Sequence, residues 1–190
     1  MKLPWRVELQ SYQFVMITTE ILKKAIRNVP GFPQPGIQFK DITTLLKQPD
    51  LFRYVIENAG RYYERKGITK TVAIESRGFI TGGALAAKLE TGFVPVRKPG
   101  KLPADVYSKS YSLEYGEGTL EIHRDALTPD DIILLHDDLL ATGGTALAAI
   151  DLIKLFHVRE IYVSFIVELD FLKGRNKLAP PYDVYTLIHF

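Results

Sequence analysis

IILLHDDLLATGGTALAAI, residues 132–150, opens as an apolar run and closes as an apolar helix-like pattern. Between the two stand adjacent carboxylates, Asp137 and Asp138, and a Thr-Gly-Gly-Thr turn. A short, wholly apolar run followed by a helix is the mark of a parallel strand and its crossover. In such sheets ligands bind beyond the carboxyl ends of the strands, where this turn must lie. Residues Ala141, Thr142, Gly143, Gly144 and Thr145 can aim successive backbone N–H groups at one point. They lead into a helix N-terminus whose partial positive charge favours phosphate. The two glycines let the backbone approach closely, and the threonines add hydroxyl donors. Asp137 and Asp138 can accept hydrogen bonds from vicinal ribose hydroxyls, as the acid of dinucleotide folds does. A bare Thr-Gly-Gly-Thr would equally suit a turn whose polar side chains cap the backbone. Two acids before it and a helix after it favour a ribose 5-phosphate. The sequence contains neither GxxxxGK[ST] nor GxGxxG.

Outward from this stretch the same alternation recurs. TVAIE (71–75) and FVPVR (93–97) read as strands flanking a helix over 79–90. After the central turn come a helix over 145–156 and strands over 161–169 and 184–189. The fold class is therefore α/β, with a central, mainly parallel sheet covered by helices on both faces. Upstream, Ile21, Leu22, Ala25, Ile26 and Val29 predict a helix from Thr19 stopped by Pro30. GFPQPGIQF (31–39) reads as loop, and a helix should start at Pro49 and run to Gly67. A polar stretch, 98–110, precedes alternating apolar residues: Tyr111, Leu113 and Tyr115, then Leu120 and Ile122. That pattern predicts a hairpin projecting from the sheet as an arm. The whole chain is expected to form one domain. Residues 1–17 read as an extension whose Trp5 and Phe14 are expected to pack on the body, and residues 98–123 as an expected mobile loop and hairpin.

Composition narrows the chemistry. There is no cysteine, which excludes disulfides, thiolate catalysis and Cys-based zinc sites. His123, His136, His157 and His189 show no HExxH spacing. A net charge of only +2 argues against nucleic acid as a partner. No apolar run is long enough to span a membrane, and the first residues lack the h-region of a signal peptide, so a cytoplasmic location is expected.

HDDLLATGGTA (136–146) resembles the phosphoribosyl-pyrophosphate signature of type I phosphoribosyltransferases, and its wording is similar to that of the adenine-using members. The resemblance extends through FPQPGIQFKDITTLLKQP (32–49), ESRGFITG (75–82), FVPVRKPGKLP (93–103), YSLEYGEGTLEIHRDAL (111–127) and ELDFLKGRNKL (168–178). It covers most of the chain after about residue 25. It implies transfer of phosphoribose from phosphoribosyl pyrophosphate to adenine, giving AMP and pyrophosphate in purine salvage. Magnesium would be the cofactor, bridging pyrophosphate and ribose hydroxyls with no direct protein ligand. Glu75, Ser76 and Arg77 would form the pyrophosphate loop, which in the family often holds a non-proline cis peptide. Arg97, Lys98 and Lys101 would add pyrophosphate ligands and reach a neighbouring subunit, implying a homodimer. Glu114 would be the catalytic acid/base, on a mobile hood where Tyr115 covers the sugar. Periodicity alone would instead make Glu114 the solvent-facing member of a strand. Ile37 and Phe39 would hold adenine by main-chain bonds and stacking. Lys40 would belong to the same pocket but departs from the usual Arg and lacks its planar fork. His136 stands where a small apolar residue is usual and is expected to be packed. The alternatives are a transferase for another purine and a non-catalytic phosphoribosyl-pyrophosphate sensor. The sensor would want a DNA-binding domain, and only about 18–25 residues precede the core.

Overall fold

The computed structural model describes residues 16–32, 34–36, 38–112 and 117–190. Trp5, Phe14, Ile37, Leu113, Glu114 and Tyr115 therefore lie outside the described residues. Five strands form the central sheet: β3 (Lys70–Ile74), β4 (Gly92–Val96), β7 (Ile132–Leu140), β8 (Glu160–Glu168) and β9 (Asp183–His189), in the order β4-β3-β7-β8-β9. Every pairing among them is parallel. The chain runs outward from β3 to β4, then returns to the other side of β3 as β7. The order reverses between β3 and β7, so the crevice of such a sheet opens between their carboxyl ends.

Helices cover both faces, as expected. Helix α5 (Gly144–Lys154) lies on one face with the hairpin β5 (Val106–Ser112) and β6 (Glu117–His123). Ala146, Ala149, Ile150 and Ile153 meet Val72, Ile133, Leu135 and Val163 there, all buried. The other face carries α1 (Thr19–Ala25), α2 (Thr43–Leu46), α3 (Pro49–Tyr63) and α4 (Arg77–Leu89). Leu22, Leu45 and Val55 pack against Val167 and Ile188, and Tyr63 against Leu134 and Tyr162. Strands buried on two sides need no alternation of polar and apolar residues, which is why β7 and β8 read as nearly unbroken apolar runs.

Glycine sets how closely α4 approaches the sheet. A Cβ on Gly82 would lie 2.6 Å from the Ala73 Cβ, and one on Gly78 would lie 2.7 Å from Asp137 Oδ1. The helix thus seats its first turns directly on β3 and β7.

Several local expectations need correction. Helix α1 ends at Ala25, because Arg27–Pro30 forms β1 and pairs antiparallel with β2 (Gln38–Asp41). Periodicity within 19–29 carries no trace of a partner ten residues on. The same pairing takes the end of the 31–39 loop into a strand. Helix α3 stops at Tyr63 rather than Gly67, and α4 begins at Arg77 rather than 79. Strand β7 continues through both acids to Leu140, paired with β8 as far as Leu140 opposite Glu168. The acids therefore stand on a strand end and not in the turn. The hairpin does not project freely at its root. Leu120 and Ile122 are buried in the core, Tyr107 meets Phe156 edge-on at 5.5 Å, and Lys109 pairs with Asp151 of α5 at 2.9 Å.

Candidate active site at the β3–β7 crevice

The end of β7 presents the acidic pair. Asp138 is 4% exposed, and its Oδ2 accepts from Arg77 Nε at 2.6 Å. Asp137 points to the start of α4, and its Oδ1 accepts the Asp138 backbone N–H at 2.8 Å. Packing strips water from the Asp137 carboxyl, and the Asp138 charge lies beside it. Both push its pKa well above the usual carboxylate range, more than Arg77 can offset. The two acids are thus unlike: one is neutralised by an arginine, the other holds a proton readily.

Beyond them the chain bends through Ala141, Thr142 and Gly143 into α5. Gly143 has a φ of +77°, and no side chain caps the helix. Among the described residues, the side-chain hydroxyls of Thr142 and Thr145 bond to no backbone group. The two threonines therefore do not cap the turn, although Asp137 does accept a backbone N–H, that of Asp138. The amide groups at the helix start have no side-chain acceptor of their own and line a pocket with Asp137, Leu140 and Phe165. The uncapped N–H groups there supply the donors that a phosphate site at a helix N-terminus uses.

On the opposite lip, β3 ends at Ile74 and the Glu75–Ser76 peptide bond is cis. Arg77 opens α4 and faces Asp138 across the crevice. Its guanidinium carbon also lies 4.9 Å from the Phe39 ring centroid, so one side chain spans the acidic pair and β2. The Glu75 carboxylate does not face the crevice alone. It accepts from Arg97 Nε at 3.1 Å and from the Lys98 backbone N–H at 3.2 Å. The Arg97 bond holds its pKa below the ordinary value, against the opposing effect of burial. Arg97 also donates to the Lys101 carbonyl at 2.9 Å. Glu75 and Arg97 together fasten the cationic loop to the end of β3, leaving the Lys98 and Lys101 side chains exposed.

Phe39 sits on β2, with Phe32 edge-on at 5.1 Å. Lys40, its neighbour in the strand, turns to the other side, 4.1 Å from the Phe190 ring centroid. The structure therefore brings Phe39 to Arg77 but places Lys40 against the C-terminal aromatic. Ile37, Glu114 and Tyr115 are not among the described residues. His136 is packed, as the sequence suggests: it is 1% exposed, with Nε2 at 2.8 Å from Thr81 Oγ1 of α4. Burial lowers its pKa to about 3, so the ring is neutral at ordinary pH.

Sequence reasoning missed two contributors. Gly78 leaves the space that Asp137 occupies. Gly174, in a short helical turn over Gly174–Lys177, packs its backbone behind residues 141–143. Both lie in segments singled out above, ESRGF and LKGRNKL, but nothing local says what a glycine there must admit.

Comparison with known proteins agrees with this geometry. The family model of the phosphoribosyl transferase domain matches residues 41–188. An adenine phosphoribosyltransferase of Halothermothrix orenii is 55% identical over 167 residues, 88% of this chain and 98% of that protein. The crystal structure of adenine phosphoribosyltransferase from Rhodothermus marinus superposes with a TM-score of 0.86 at 50% identity, covering 90% of this chain and 98% of that one. That of the Giardia lamblia enzyme complexed with 9-deazaadenine gives a TM-score of 0.88 at 40% identity, covering 92% and 98%. The parallel five-stranded sheet, the acidic pair before the uncapped diglycine turn and these likenesses agree: the chain belongs to the phosphoribosyltransferase family, among its adenine phosphoribosyltransferase members.

Proposed function

We propose that this chain transfers the phosphoribosyl group of 5-phosphoribosyl 1-pyrophosphate to adenine, forming AMP and pyrophosphate. The observation that carries this is the acidic pair at the end of β7 beside an uncapped helix N-terminus and opposite Arg77. The N–H groups of residues 141–145 receive the 5-phosphate. Asp137 and Asp138 receive the ribose hydroxyls. Arg77, with Lys98 and Lys101 on the loop fastened by Glu75 and Arg97, receives the leaving pyrophosphate. The bond from C1 to pyrophosphate breaks as N9 of adenine bonds to C1 from the opposite face. Positive charge spreads over the sugar ring as in glycoside cleavage. Glu114 takes the proton that adenine gives up, and Tyr115 covers the sugar against water. Phe39 offers the purine a ring to stack on.

Magnesium fits this arrangement as a companion of the substrate. Neither acid is a spare anion, since Asp138 is paired with Arg77 and Asp137 holds its proton readily. The metal would be held by substrate oxygens and water, where it supplies charge neutralisation of the leaving group. A homodimer is part of the same reading. Edge strand β4 carries Phe93, 41% exposed and edge-on to Phe79, beside Ile80 at 49%. A second copy would cover that apolar edge, which adjoins the Arg97 loop. A cytoplasmic location accords with the reaction's soluble substrates. No helix among the described residues is long and apolar enough to cross a membrane.

The test is to mix protein, magnesium and phosphoribosyl pyrophosphate with each labelled purine. AMP formed from adenine alone supports the proposal. Turnover of hypoxanthine or guanine would transfer it to another purine, and donor binding without turnover would make the chain a sensor.

A further inference from the structure

The phosphate turn is held from behind by backbone alone. A Cβ on Gly174 would lie 2.1 Å from the Ala141 carbonyl oxygen and 3.0 Å from the Gly143 nitrogen. A Cβ on Gly143 would in turn lie 2.6 Å from the Gly174 carbonyl oxygen. Two glycines thus meet face to face, and any shift of Gly174 must move residues 141–143, whose N–H groups define the cradle.

What fixes Gly174 is its neighbour. The Arg175 guanidinium grips Glu168, at the last position of β8, through Nε at 3.1 Å from both carboxylate oxygens and through a further short bond from Nη2. It also donates to the Val184 carbonyl at 2.7 Å and to Thr186 Oγ1 at 3.0 Å, both on β9. Thr186 Oγ1 donates to Glu168 at 2.9 Å, closing the network. Glu168 is 3% exposed and the Arg175 side chain 35%, so the carboxylate of this fork is buried while the guanidinium reaches it from the rim, its planar, multiply bonded geometry fixing the arginine in place. Leu178, three residues on, is fully buried in the core beneath α5. The segment from 174 to 178 is therefore pinned at both ends. Glu168 also lies near Asp170 and His189, a grouping that on distance alone would suit a cation. Arg175 and Thr186 already satisfy Glu168, which leaves Arg175 as the meaning of the cluster.

We propose that Arg175 is a positioning residue for the 5-phosphate site: locked to Glu168, Val184 and Thr186, it presses Gly174 against the back of residues 141–143 and so sets the aim of their N–H groups. This rests on the functional reading above, and it assigns to Arg175 no contact with substrate. A merely structural ion pair would weaken every ligand with the fold. A positioning pair weakens only what the turn holds, which is phosphate.

The experiment compares AMP with adenosine, binding each by calorimetry to the full chain and to Arg175→Lys, Glu168→Gln and Gly174→Ala. Lysine keeps the charge but not the fork. The expected result is that Arg175→Lys and Glu168→Gln lose about tenfold or more in AMP affinity while adenosine stays within about twofold. In the transferase assay KM for phosphoribosyl pyrophosphate rises and KM for adenine does not. Gly174→Ala is expected to abolish the AMP preference. Should it fail to fold, Arg175→Lys decides. Equal losses for AMP and adenosine, or no loss in either, would overturn the proposal. A wild-type protein that binds adenosine as tightly as AMP would instead remove the functional reading beneath it.

Discussion

Asp137 and His136 are consecutive, and burial acts on them in opposite senses. For Asp137 the folded state holds the proton more tightly than the unfolded chain does. Stability is therefore fully present below the unfolded value near 3.8 and is lost as pH rises through the folded value. Replacing Asp137 by Asn removes that burden. It is expected to raise the melting temperature at neutral pH by a few degrees, about 1 kcal/mol, while cutting turnover at least about a hundredfold. An unchanged turnover with the melt raised would remove the role given to this acid. For His136 the unfolded chain binds the proton more tightly, 6.5 against about 3 in the fold. Its contribution is complete above about pH 6.5 and falls away towards pH 3. The loss of stability between pH 7 and pH 4 should accordingly be shallower in His136→Val than in the wild type, whatever the cavity does to the absolute value. Parallel denaturant midpoints across that range would refute it.

At the scale of the element, the site depends on how α4 meets the sheet. Its first turn brings Arg77 to Asp138 and gives up a side chain at Gly78 so that Asp137 can lie against it. A methyl group there would collide with Asp137 Oδ1, backed by the Asp137 Cα at 3.2 Å. Because a β-strand carboxylate has few rotamers to escape into, Gly78→Ala is expected to raise KM for phosphoribosyl pyrophosphate about tenfold or more. Its cost in stability should stay near 1–2 kcal/mol, since only one contact is overfilled. Steady-state kinetics beside a denaturant melt checks both. On the purine side, β2 is held by Asp41. Burial would push its carboxyl up, but the Arg27 guanidinium and the Thr43 hydroxyl and N–H keep it at about 2. Strand pairing and ion pair together carry Phe39 to the crevice.

Over the whole molecule the two faces of the sheet divide the labour. The α5 face carries the phosphate turn and the hairpin root, and the α1–α4 face carries the arginine and the purine platform. The crevice lies where they meet, between β3 and β7. The apolar edge at Ile80 and Phe93 belongs to neither core. If a second copy covers it, Ile80→Glu should shift the protein to monomer in sedimentation experiments. Dissociation should also lower turnover, because the loop of Arg97, Lys98 and Lys101 lies beside that edge. A wild-type monomer, fully active, would refute the dimer.

The α/β class and the strand–acid–turn–helix unit were legible in residue order, because each follows from local spacing: apolar runs, a helical period, glycine where backbone must approach. The packing of His136 was suggested by its place in the family pattern. The resemblance in several segments named the family. What local spacing could not contain were contacts between distant segments. The β1–β2 pairing shortened α1, the β8 register carried β7 past both acids, and Gly174 came to rest behind the phosphate turn. The raised pKa of Asp137 and the pairing of Asp138 with Arg77 likewise depend on α4 lying over the strand end. Local order decides which chemistry is available; only packing across the chain decides which groups lose water, meet and are aimed.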